Sequence, residues 1–501
     1  MIPDTDGYCS AAILINYLTN VFPNINLNWH LHEGKQHGII LKEIPANVNL
    51  VIIPDAGSNQ FEEHKQLKEN GIDVIVLDHH ECERESEDAI VVNNQLSPNY
   101  PNKTLTGAAI VYKFLKALDH KLGINQADNF LDLVAVGLIG DMADSRELET
   151  RYYIQRGLSQ INNSFLKALY EKQSFSTKGV INIVNTQFYI VPLINACIRV
   201  GNLQEKLQMM NAFLESKEII FNSQKEEHEY IQTATAKMLA NIKQRQRRLR
   251  DKGVAAIEER IKEKQLDKNK ILIINVTDIL DKNLTGLVAN SLAKQYKRPV
   301  LLLRYNEEEN VFSGSGRGYD KGVIKDLKSF LQKTGKFIYV EGHKEAHGVS
   351  IEVDKLIELN ELINEQLKDV EINVDLYEVD FIIPATQLHK QFINEIDQHK
   401  DIWGYKVEEP LIAIKDIEVN KDDVYIIGSK KNTLKFSYNG IEYIKFFSNE
   451  EEWEQIVSKG ERLVLDIVGK AGINEWNGEI KPQIRIENYS IKNTKKKEWV
   501  F

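Results

Sequence analysis

The sequence has little cysteine, no long apolar run and no excess of positive charge. Its three cysteines, Cys9, Cys82 and Cys197, lie far apart without a CxxC pair. That spacing argues against a disulfide framework or a cysteine zinc site, and it fits a reducing cytoplasm. No apolar run approaches the length of a membrane span, and Asp4 and Asp6 interrupt any signal peptide, so we expect no membrane association. The formal net charge of -10 argues against nonspecific coating of nucleic acid by the whole surface.

The composition that remains is that of a globular protein, with 42% hydrophobic and 27% charged residues. A chain of 501 residues is too long for one core, so we expect several domains. The patterns predict the α/β class, with a parallel-sheet domain at 1–195 and a connecting helix at 196–267. A smaller α/β domain at 268–370 and a β-barrel domain at 373–501 follow.

The order of apolar segments supports these assignments. Residues 48–53 and 72–77 are strand-like with a helical pattern between them, which implies neighbouring parallel strands. Residues 203–252 contain no glycine or proline, which predicts one long helix, broken near Gly253 and resuming to about residue 265. In the second α/β domain, residues 314–318 (GSGRG) and 341–348 (EGHKEAHG) predict two glycine-rich loops, and residues 321–334 predict a helix.

Both predicted parallel strands of the first domain lead into an acidic residue, Asp55 and Asp78. Parallel strands deliver their carboxyl ends to one edge of a sheet, so these carboxylates should meet there. Clustered carboxylates repel one another unless cations lie among them, and oxygen ligands with one imidazole suit Mn²⁺ or Mg²⁺. The alternative is that each aspartate caps the following helix. The candidate ligands are Asp4, Asp6, Asp55, His79 and Asp141.

Short motifs and the domain order resemble a known family. The motifs Asp4-Thr5-Asp6-Gly7, Pro54-Asp55, Asp78-His79-His80 and Gly140-Asp141 resemble, in order and spacing, those of the DHH phosphoesterase superfamily. Residues 106–109 (TGAA) are similar to the small-residue helix start between its third and fourth motifs. Residues 285–290, 297–299, 314–318 and 341–348 are similar to marks of the DHH-associated domain. Residues 474–486 look like part of the OB domain of RecJ exonucleases.

The resemblance implies two Mn²⁺ or Mg²⁺ ions, bridged by Asp55. One ion would bind Asp4, and the other would bind the set Asp6, His79 and Asp141. It also implies that His80 faces the scissile phosphate while Asp78 orients the histidines from behind. Family members usually carry a further histidine or aspartate before the first aspartate pair, where this sequence has residues 1–3 (MIP). We therefore expect a longer reading frame, a truncated chain or a first metal site that lacks one ligand.

The resemblance further implies a phosphate clamp opposite the metal ions. Arg317 would grip a phosphate, with backbone N–H groups of Gly316 and Gly318 close by and His343 assisting. For residues 314–318 the alternative is a tight turn with a surface arginine. For His343 and His347 the alternative is a loop histidine with no ligand role, which is what we expect of His347.

The activity implied by this resemblance is 5′→3′ hydrolysis of single-stranded DNA, in recombination, repair or replication. Single-stranded nucleic acid would be the main partner, with replication or repair proteins as further partners. A DHH phosphodiesterase acting on short RNA oligomers or pAp-type nucleotides is an alternative, although such a substrate needs neither an OB domain nor a long connecting helix. A catalytically impaired module that binds nucleic acid or proteins is another, and the retained ligand set opposes it.

Further basic and aromatic residues are candidates for binding a single strand. One group is the basic cluster at 243–252, which would line a channel or form a solvated helix face. An OB barrel binds single strands by stacking and basic grooves. Its candidates are Lys430, Lys431, Lys435, Tyr438, Tyr443 and Lys445. The alternative for this second group is an ordinary solvated face with buried aromatic rings.

Overall fold

The chain folds into two compact units, seen here in a computed structural model that describes residues 4–32, 38–45, 47–222, 226–476 and 478–492. The first unit comprises residues 1–141, 153–181 and 185–376, and the second comprises 142–152, 182–184 and 377–501. Residues 1–3 and one residue of the segment 474–486, Asn477, lie outside the described residues.

A three-stranded parallel sheet with flanking helices forms the N-terminal part of the first unit. Its elements are α1 (Thr5–Val21), a 3-10 turn (Leu41–Glu43), β1 (Leu50–Pro54), α2 (Phe61–Glu69), β2 (Asp73–Asp78), β3 (Ile90–Asn93), α3 (Gly107–Leu122), a 3-10 turn (Ala127–Phe130) and α4 (Leu131–Gly140). The predicted strand–helix–strand unit is confirmed, because β1 and β2 pair in parallel from Leu50↔Asp73 to Pro54↔Leu77. Almost all of α4 is buried, since its residues are apolar except for Asp132, whose carboxylate accepts hydrogen bonds from the Asn162 and Asn163 N–H groups.

The middle of the first unit is mostly helical. Its elements are α5 (Leu148–Ser159), α6 (Ser164–Lys172), α7 (Ser174–Thr177), α8 (Ile183–Asn185), a π-helical stretch (Thr186–Ile190), α9 (Val191–Val200), α10 (Leu203–Phe213), β4 (Ile219–Asn222), β5 (Glu227–Tyr230) and α11 (Ile231–Glu263). The residues of α5 and α8 are divided between the two units. The predicted single helix from residue 203 is wrong, because α10 ends before the hairpin of β4 and β5. The predicted break at Gly253 is also wrong. This glycine lies buried inside α11, where an added Cβ would meet Leu280 Cδ1 at 2.7 Å.

The second α/β part of the first unit is a five-stranded sheet between two helical layers. Its elements are a 3-10 turn (Leu266–Lys268), β6 (Leu272–Asn275), α12 (Thr285–Tyr296), β7 (Val300–Asn306), β8 (Val311–Arg317), α13 (Leu327–Lys333), β9 (Phe337–His343), β10 (Ala346–Glu352) and α14 (Lys355–Gln366). The strand order is β6-β7-β8-β10-β9. Alternation along β7 explains the layers: Leu302 packs with residues of α11 and α12, whereas Leu301 packs with those of α13 and α14.

Three loop and helix assignments in this part are corrected by the structure. The GSGRG segment is not a loop, because residues up to Arg317 belong to β8, which pairs with both β7 and β10. The second predicted loop is a tight hairpin, with only Lys344 and Glu345 between β9 and β10. The helix predicted at 321–334 is shorter and covers Leu327–Lys333.

The second unit contains a seven-stranded sheet of the order β11-β12-β16-β17-β15-β14-β13. In chain order its elements are β11 (Phe381–Pro384), α15 (Lys390–Gln398), β12 (Leu411–Asn420), β13 (Tyr425–Ile427), β14 (Thr433–Tyr438), β15 (Ile441–Phe446), α16 (Glu450–Val457), β16 (Arg462–Trp476) and β17 (Glu479–Lys492), with 3-10 turns at Ala385–Gln387, Lys400–Ile402 and Lys421–Asp423. The predicted β domain is therefore confirmed, with strands β11 and β12 and the two helices added.

Most of the candidate strand-binding residues in the second unit are engaged within it. Tyr443 is fully buried and stacks on Phe436 with ring centroids 4.8 Å apart. The amino groups of Lys431, Lys435 and Lys445 all pair with glutamates of the same unit. A buried tyrosine has no face for a base, so the assignment of Tyr443 to base stacking is wrong. The three lysines remain candidates, and their pairing with glutamates is also what the solvated-face alternative predicts.

One helical stretch among the described residues, 183–200, is long and apolar enough to cross a membrane by length and composition. Half of this stretch, 50%, is buried inside the protein. Core helices of water-soluble proteins pass the same test, so the stretch is weak evidence for a membrane span.

Candidate metal centre

Asp55 is held at the carboxyl end of β1 in a backbone conformation that turns its side chain inward. Its N–H still donates to Leu77 O at 2.7 Å, continuing the ladder to β2, and its φ is then 59°. Aspartate is one of the few residues other than glycine whose backbone adopts this left-handed conformation. The residue is 1% exposed, and within the described part of the chain neither of its carboxylate oxygens has a hydrogen-bond partner.

Asp6 lies in the first turn of α1 and is fixed by the start of α3. Its Oδ1 accepts hydrogen bonds from Thr106 Oγ1 at 2.7 Å and from the Ala108 N–H at 3.2 Å. Its Oδ2 is buried and has no partner among the described residues. One oxygen is therefore used for orientation, and the other is left for a ligand.

Two glycines provide the space that these carboxylates occupy. A Cβ on Gly107 would lie 2.4 Å from Asp55 Oδ1, and a Cβ on Gly137 would lie 2.5 Å from Asp6 Oδ1. Neither distance is compatible with a side chain, so small residues on α3 and α4 are required for the carboxylates to reach this position.

His79 lies close to both Asp55, the expected bridging ligand, and Asp141, which is expected to share an ion with it. Its Nε2 lies 3.3 Å from Asp55 Oδ1 and 3.8 Å from Asp141 Oδ2. Ligand atoms of Asp6, His79 and Asp141 all lie within 4.8 Å of one another. The imidazole and these carboxylates thus meet at one edge of the sheet.

His80 lies beside His79, with ring centroids 4.2 Å apart, and is held by Asp78. Its Nδ1 lies 2.7 Å from Asp78 Oδ1, which also accepts from the His79 N–H at 2.8 Å, while Asp78 Oδ2 accepts from the Ser58 N–H at 3.1 Å. Burial alone would raise the pKa of Asp78, but the hydrogen bond and charge of His80 hold it below its ordinary value. Burial would lower the pKa of His80, and its hydrogen bond to Asp78 raises it instead. The pair therefore favours a charged, oriented imidazolium.

Asp4 and Asp141 lie beside helix ends rather than at strand ends. Asp4 caps α1, as the helix-cap alternative predicts, because its Oδ1 accepts a hydrogen bond from the Gly7 N–H at 3.0 Å. Its other oxygen, Oδ2, is therefore the one left for a ligand. Burial, followed by the charge of Asp6, raises the pKa of Asp4 to about 6. Asp141 follows α4, and partial burial together with Asp6 raises its pKa to about 7. Burial and the charges of Asp6 and Asp4 raise the pKa of Asp55 well above its usual range.

Raised carboxyl pKa values make the stability of the metal-free protein depend on pH. Between pH 3.8 and about 7, folded Asp141 holds its proton more tightly than the unfolded chain does, so stability falls as pH rises through this window. We expect the chelator-treated parent to lose several degrees more of its melting temperature between pH 5 and 7.5 than the Asp141→Asn variant, with Mn²⁺ reversing the loss. Thermal melts of both proteins measure this, and equal losses would contradict it.

The donor set fits divalent cations. Three buried oxygens, Asp6 Oδ2, Asp55 Oδ1 and Asp55 Oδ2, have no hydrogen-bond donor among the described residues. Unpaired buried carboxylate oxygens are costly, and cations compensate such charge without requiring a donor. Oxygen ligands with one imidazole are typical of Mn²⁺ or Mg²⁺ sites.

Arg317, the candidate clamp residue, ends β8 beside the N-terminus of α12. Its guanidinium fits over Gly286, where an added Cβ would lie 2.4 Å from Nη2, and its Nη1 donates to Gly316 O at 2.6 Å. Burial and the charge of Arg199 lower its pKa. His343 shares its face of the sheet, because Arg317 pairs with Ala346 and Ala346 pairs with His343.

The glycines beside Arg317 do not have the predicted role. The Gly318 N–H donates to Glu345 O at 2.8 Å, and Gly316 lies between two paired strands. Gly316 leaves room for the His347 side chain, since a Cβ at this position would lie 2.4 Å from His347 Nε2. The expectation that these backbone N–H groups are available to a phosphate is therefore wrong. His347 is buried in β10 rather than in a loop, with Nδ1 3.2 Å from His343 O, and its Nε2 has no hydrogen-bond partner among the described residues.

Arg199 is a candidate that the sequence analysis missed. Thr5 Oγ1 donates to Asn195 Oδ1 at 3.1 Å, which places α9 beside the first turn of α1. Arg199 follows one helical turn later on the same face, within electrostatic reach of Asp4, Arg317 and Lys243. No motif marks it, because only the packing of α9 on α1 brings it there.

The predicted basic cluster of α11 separates into different roles. Arg245 is structural, since it pairs with Glu205 at 2.7 Å. Arg250 pairs with Asp251 at 2.6 Å. Burial, followed by the positive charge of Arg199, lowers the pKa of Lys243, another member of the cluster.

Comparison with known proteins finds similarity along nearly the whole chain. The DHH family, N-terminal domain, matches residues 1–138, and the RecJ OB domain matches residues 379–488. An SPbeta prophage-derived protein of Bacillus subtilis strain 168, named as the single-strand DNA-specific exonuclease YorK, is 52% identical over 99% of this chain and 88% of its own. The single-stranded-DNA-specific exonuclease RecJ of that strain is 25% identical over 97% of this chain and 60% of its own.

A solved structure shares the fold. The crystal structure of RecJ in complex with Mn²⁺ from Thermus thermophilus has a TM-score of 0.73 at 19% sequence identity. The match covers 97% of this chain and 68% of that chain.

Proposed function

Because the chain belongs to the DHH phosphoesterase family, within its RecJ branch, we propose that it is a metal-dependent exonuclease on single-stranded DNA. We assign it 5′→3′ polarity and a cytoplasmic role in recombination, repair or replication, where single strands must be removed. Similarity to named exonucleases along nearly the whole chain, including the OB domain, favours this activity over hydrolysis of short RNA oligomers or pAp-type nucleotides.

The observation that carries the proposal is the convergence of His79 with the unpaired carboxylate oxygens of Asp6 and Asp55. So much buried negative charge is stable only with cations among it. Bound Mn²⁺ or Mg²⁺ would neutralise charge on the reacting phosphoryl group and lower the pKa of the attacking water. This convergence also argues against a catalytically impaired relic.

The ligand roles follow from which atoms remain available. Asp6, His79 and Asp141 would hold one ion, and Asp55 would be shared with a second ion that also uses Asp4. Asp55 suits the shared role because both of its oxygens lack partners in the described structure.

His80 would act on the substrate. Its Nδ1–H is committed to Asp78, so the opposite nitrogen of this 42% exposed side chain can donate a proton or hydrogen bond to a phosphate oxygen. Asp78 keeps that orientation and supports the positive charge.

A basic cluster opposite the carboxylates would hold the strand. The cluster consists of Arg199 and two further basic residues within its electrostatic reach, Lys243 and Arg317. Like charges kept close together are expected where a polyanion supplies the missing negative charge. The phosphate backbone would therefore run between this cluster and the metal centre.

Arg317→Ala is expected to weaken substrate binding far more than folding. A bidentate phosphate contact is worth about 1–3 kcal/mol, so KM for single-stranded DNA should rise about tenfold to a hundredfold, and the slope of log KM against log salt should fall by about one. The melting temperature should not decrease, because the change removes repulsion from Arg199. Steady-state kinetics at several salt concentrations measure this.

The matched control is Arg248→Ala, which removes an exposed arginine of α11 from the predicted basic cluster. It should leave KM within a factor of about two. An unchanged KM in the Arg317→Ala variant would remove Arg317 from the substrate site.

A panel of end-labelled substrates tests the proposed function itself. With Mn²⁺, the purified full chain should release mononucleotides from 5′-phosphorylated single-stranded DNA, and much more slowly from duplex DNA, from RNA or from the 3′ end. Faster release from short RNA or pAp than from single-stranded DNA would support the alternative phosphodiesterase instead.

A further inference from the structure

Two histidines and a glutamate form a second cluster in the first unit, apart from the acidic centre. His30 Nε2 lies 3.1 Å from Glu43 Oε2, and His32 Nδ1 lies 3.6 Å from the same oxygen. Leu31 between the histidines is buried in the core, at 5% exposure, whereas the two rings lie on one side with centroids 6.0 Å apart. Residues two apart in an extended chain project to the same face, which explains this arrangement.

The hydrogen bonding of His32 fixes which nitrogen faces the glutamate. His32 Nε2 lies 2.8 Å from Gly38 O, and a carbonyl only accepts, so Nε2 carries the hydrogen. In the neutral ring Nδ1 then presents a lone pair toward a carboxylate oxygen. A proton on Nδ1 would not bridge them, because 3.6 Å exceeds a hydrogen bond.

Both facing atoms are buried, and neither is hydrogen-bonded among the described residues, although His30 Nε2 lies 3.1 Å from Glu43 Oε2. His32 Nδ1 and Glu43 Oε2 are inaccessible to solvent and make no hydrogen bond within the described residues. A lone pair and a carboxylate oxygen repel each other at this distance unless a cation lies between them. The donation of the other ring nitrogen to a backbone carbonyl is the arrangement usually found behind a metal-binding histidine.

The distances match the edges of a tetrahedral zinc site. Zinc bonds of about 2.0–2.2 Å to nitrogen and oxygen separate neighbouring ligand atoms by roughly 3.3–3.5 Å. The observed separations from Glu43 Oε2, 3.1 and 3.6 Å, bracket this value, and ligand atoms of all three residues lie within 4.8 Å of one another. Two imidazoles with one carboxylate suit Zn²⁺ better than the oxygen-rich acidic centre does.

We propose that His30, His32 and Glu43 bind a zinc ion, with water as the fourth ligand. The ion would tie an irregular segment between α1 and β1 to the 3-10 turn that contains Glu43. The side chain of Gln60, the residue before α2, already binds this region. It accepts a hydrogen bond from the Ile39 N–H at 2.6 Å and donates one to Ile39 O at 3.1 Å. Zinc would add a second link in a segment whose described residues include little regular structure besides the 3-10 turn.

Zinc retention by the full chain tests the proposal. A background carrying Asp6→Asn and Asp55→Asn weakens the acidic centre, so that retained metal reports on the histidine cluster. After chelator treatment, incubation with Zn²⁺ and gel filtration, elemental analysis should find about one zinc per chain. His32→Gln in this background should reduce retained zinc at least about tenfold.

The matched control is His120→Gln, which removes an exposed histidine in the last turn of α3 and should leave the zinc content unchanged. His32→Cys keeps a zinc ligand and should retain the metal, which separates ligation from misfolding. In the otherwise unchanged chain, bound Co²⁺ should show the visible bands of a tetrahedral site, and Glu43→Gln should abolish them. Equal zinc in the parent and His32→Gln proteins, or no zinc in either, would overturn the proposal whether or not the chain is a nuclease.

Discussion

The Asp55→Asn variant should release nucleotides from single-stranded DNA about a thousandfold more slowly than the parent, or not at all. Asparagine keeps the shape of the side chain but removes the charge and one of the two anionic oxygens that have no other partner. Metal-based charge stabilisation is worth several kcal/mol in such reactions, and about 4 kcal/mol corresponds to this factor in kcat. Saturating single-turnover rates with Mn²⁺ measure the effect.

The same substitution should not destabilise the metal-free protein. Burial and two neighbouring carboxylates already raise the pKa of Asp55, so a neutral amide removes repulsion, and the melting temperature in chelator should stay or rise. Asp73→Asn, at the exposed start of the neighbouring strand β2, is the matched control and should keep full activity. Undiminished hydrolysis by Asp55→Asn would remove this residue from the chemistry.

Gly107→Ala should reduce activity about a hundredfold while leaving the fold intact. The new Cβ would lie 2.4 Å from Asp55 Oδ1 and 2.6 Å from Asp55 Cβ, so the carboxylate must shift. Displacement of a catalytic group by about 1 Å can cost this factor. Alanine also favours the helix over glycine by about 0.5–1 kcal/mol, which offsets part of the strain. The rate and the Mn²⁺ affinity should therefore fall together, whereas the circular dichroism spectrum should not change.

Gly253→Ala provides the comparison, since it also adds a methyl group to a buried helical glycine. There the nearest atom is Leu280 Cδ1 at 2.7 Å, the end of a flexible side chain that can move aside. Normal activity is expected in this variant. If Gly107→Ala matched it in activity and Mn²⁺ affinity, the tight fit around Asp55 would have no functional meaning.

The strands that carry the centre could be predicted because their signals are local. Continuous apolar runs on both sides of one helical pattern indicate parallel strands, and parallel strands fix which edge receives Asp55 and Asp78. The inward turn at Asp55 could not be predicted, because aspartate at a strand end is equally compatible with a helix cap. Asp4 does cap a helix, so the two interpretations are not exclusive.

The glycine-rich segment before Arg317 shows why other features could not be predicted. Glycine in a sequence indicates either a turn or a close approach of backbones, and periodicity does not separate the two. Here it is close approach, since a Cβ on Gly314 would lie 1.9 Å from Leu302 O on the neighbouring strand. The hairpin before α11 was missed for a related reason, because its polar sequence has no turn glycine or proline.

Arg199 and the pairings of the basic residues depend on packing between distant segments. Arg245 and Lys243 are neighbours in sequence, yet one pairs with Glu205 and the other faces Arg199. Helical periodicity places them on different faces, but the partners on those faces come from α9 and α10, which a sequence pattern does not position.

Anomalous diffraction from crystals of the full chain soaked in Mn²⁺ would locate the metal ions at the acidic centre. We expect a manganese peak in contact with carboxylate oxygens of Asp55 and with His79 Nε2. No peak at Asp55 and His79 in Mn²⁺-saturated crystals, or a lysine or arginine side chain in that position, would contradict this expectation.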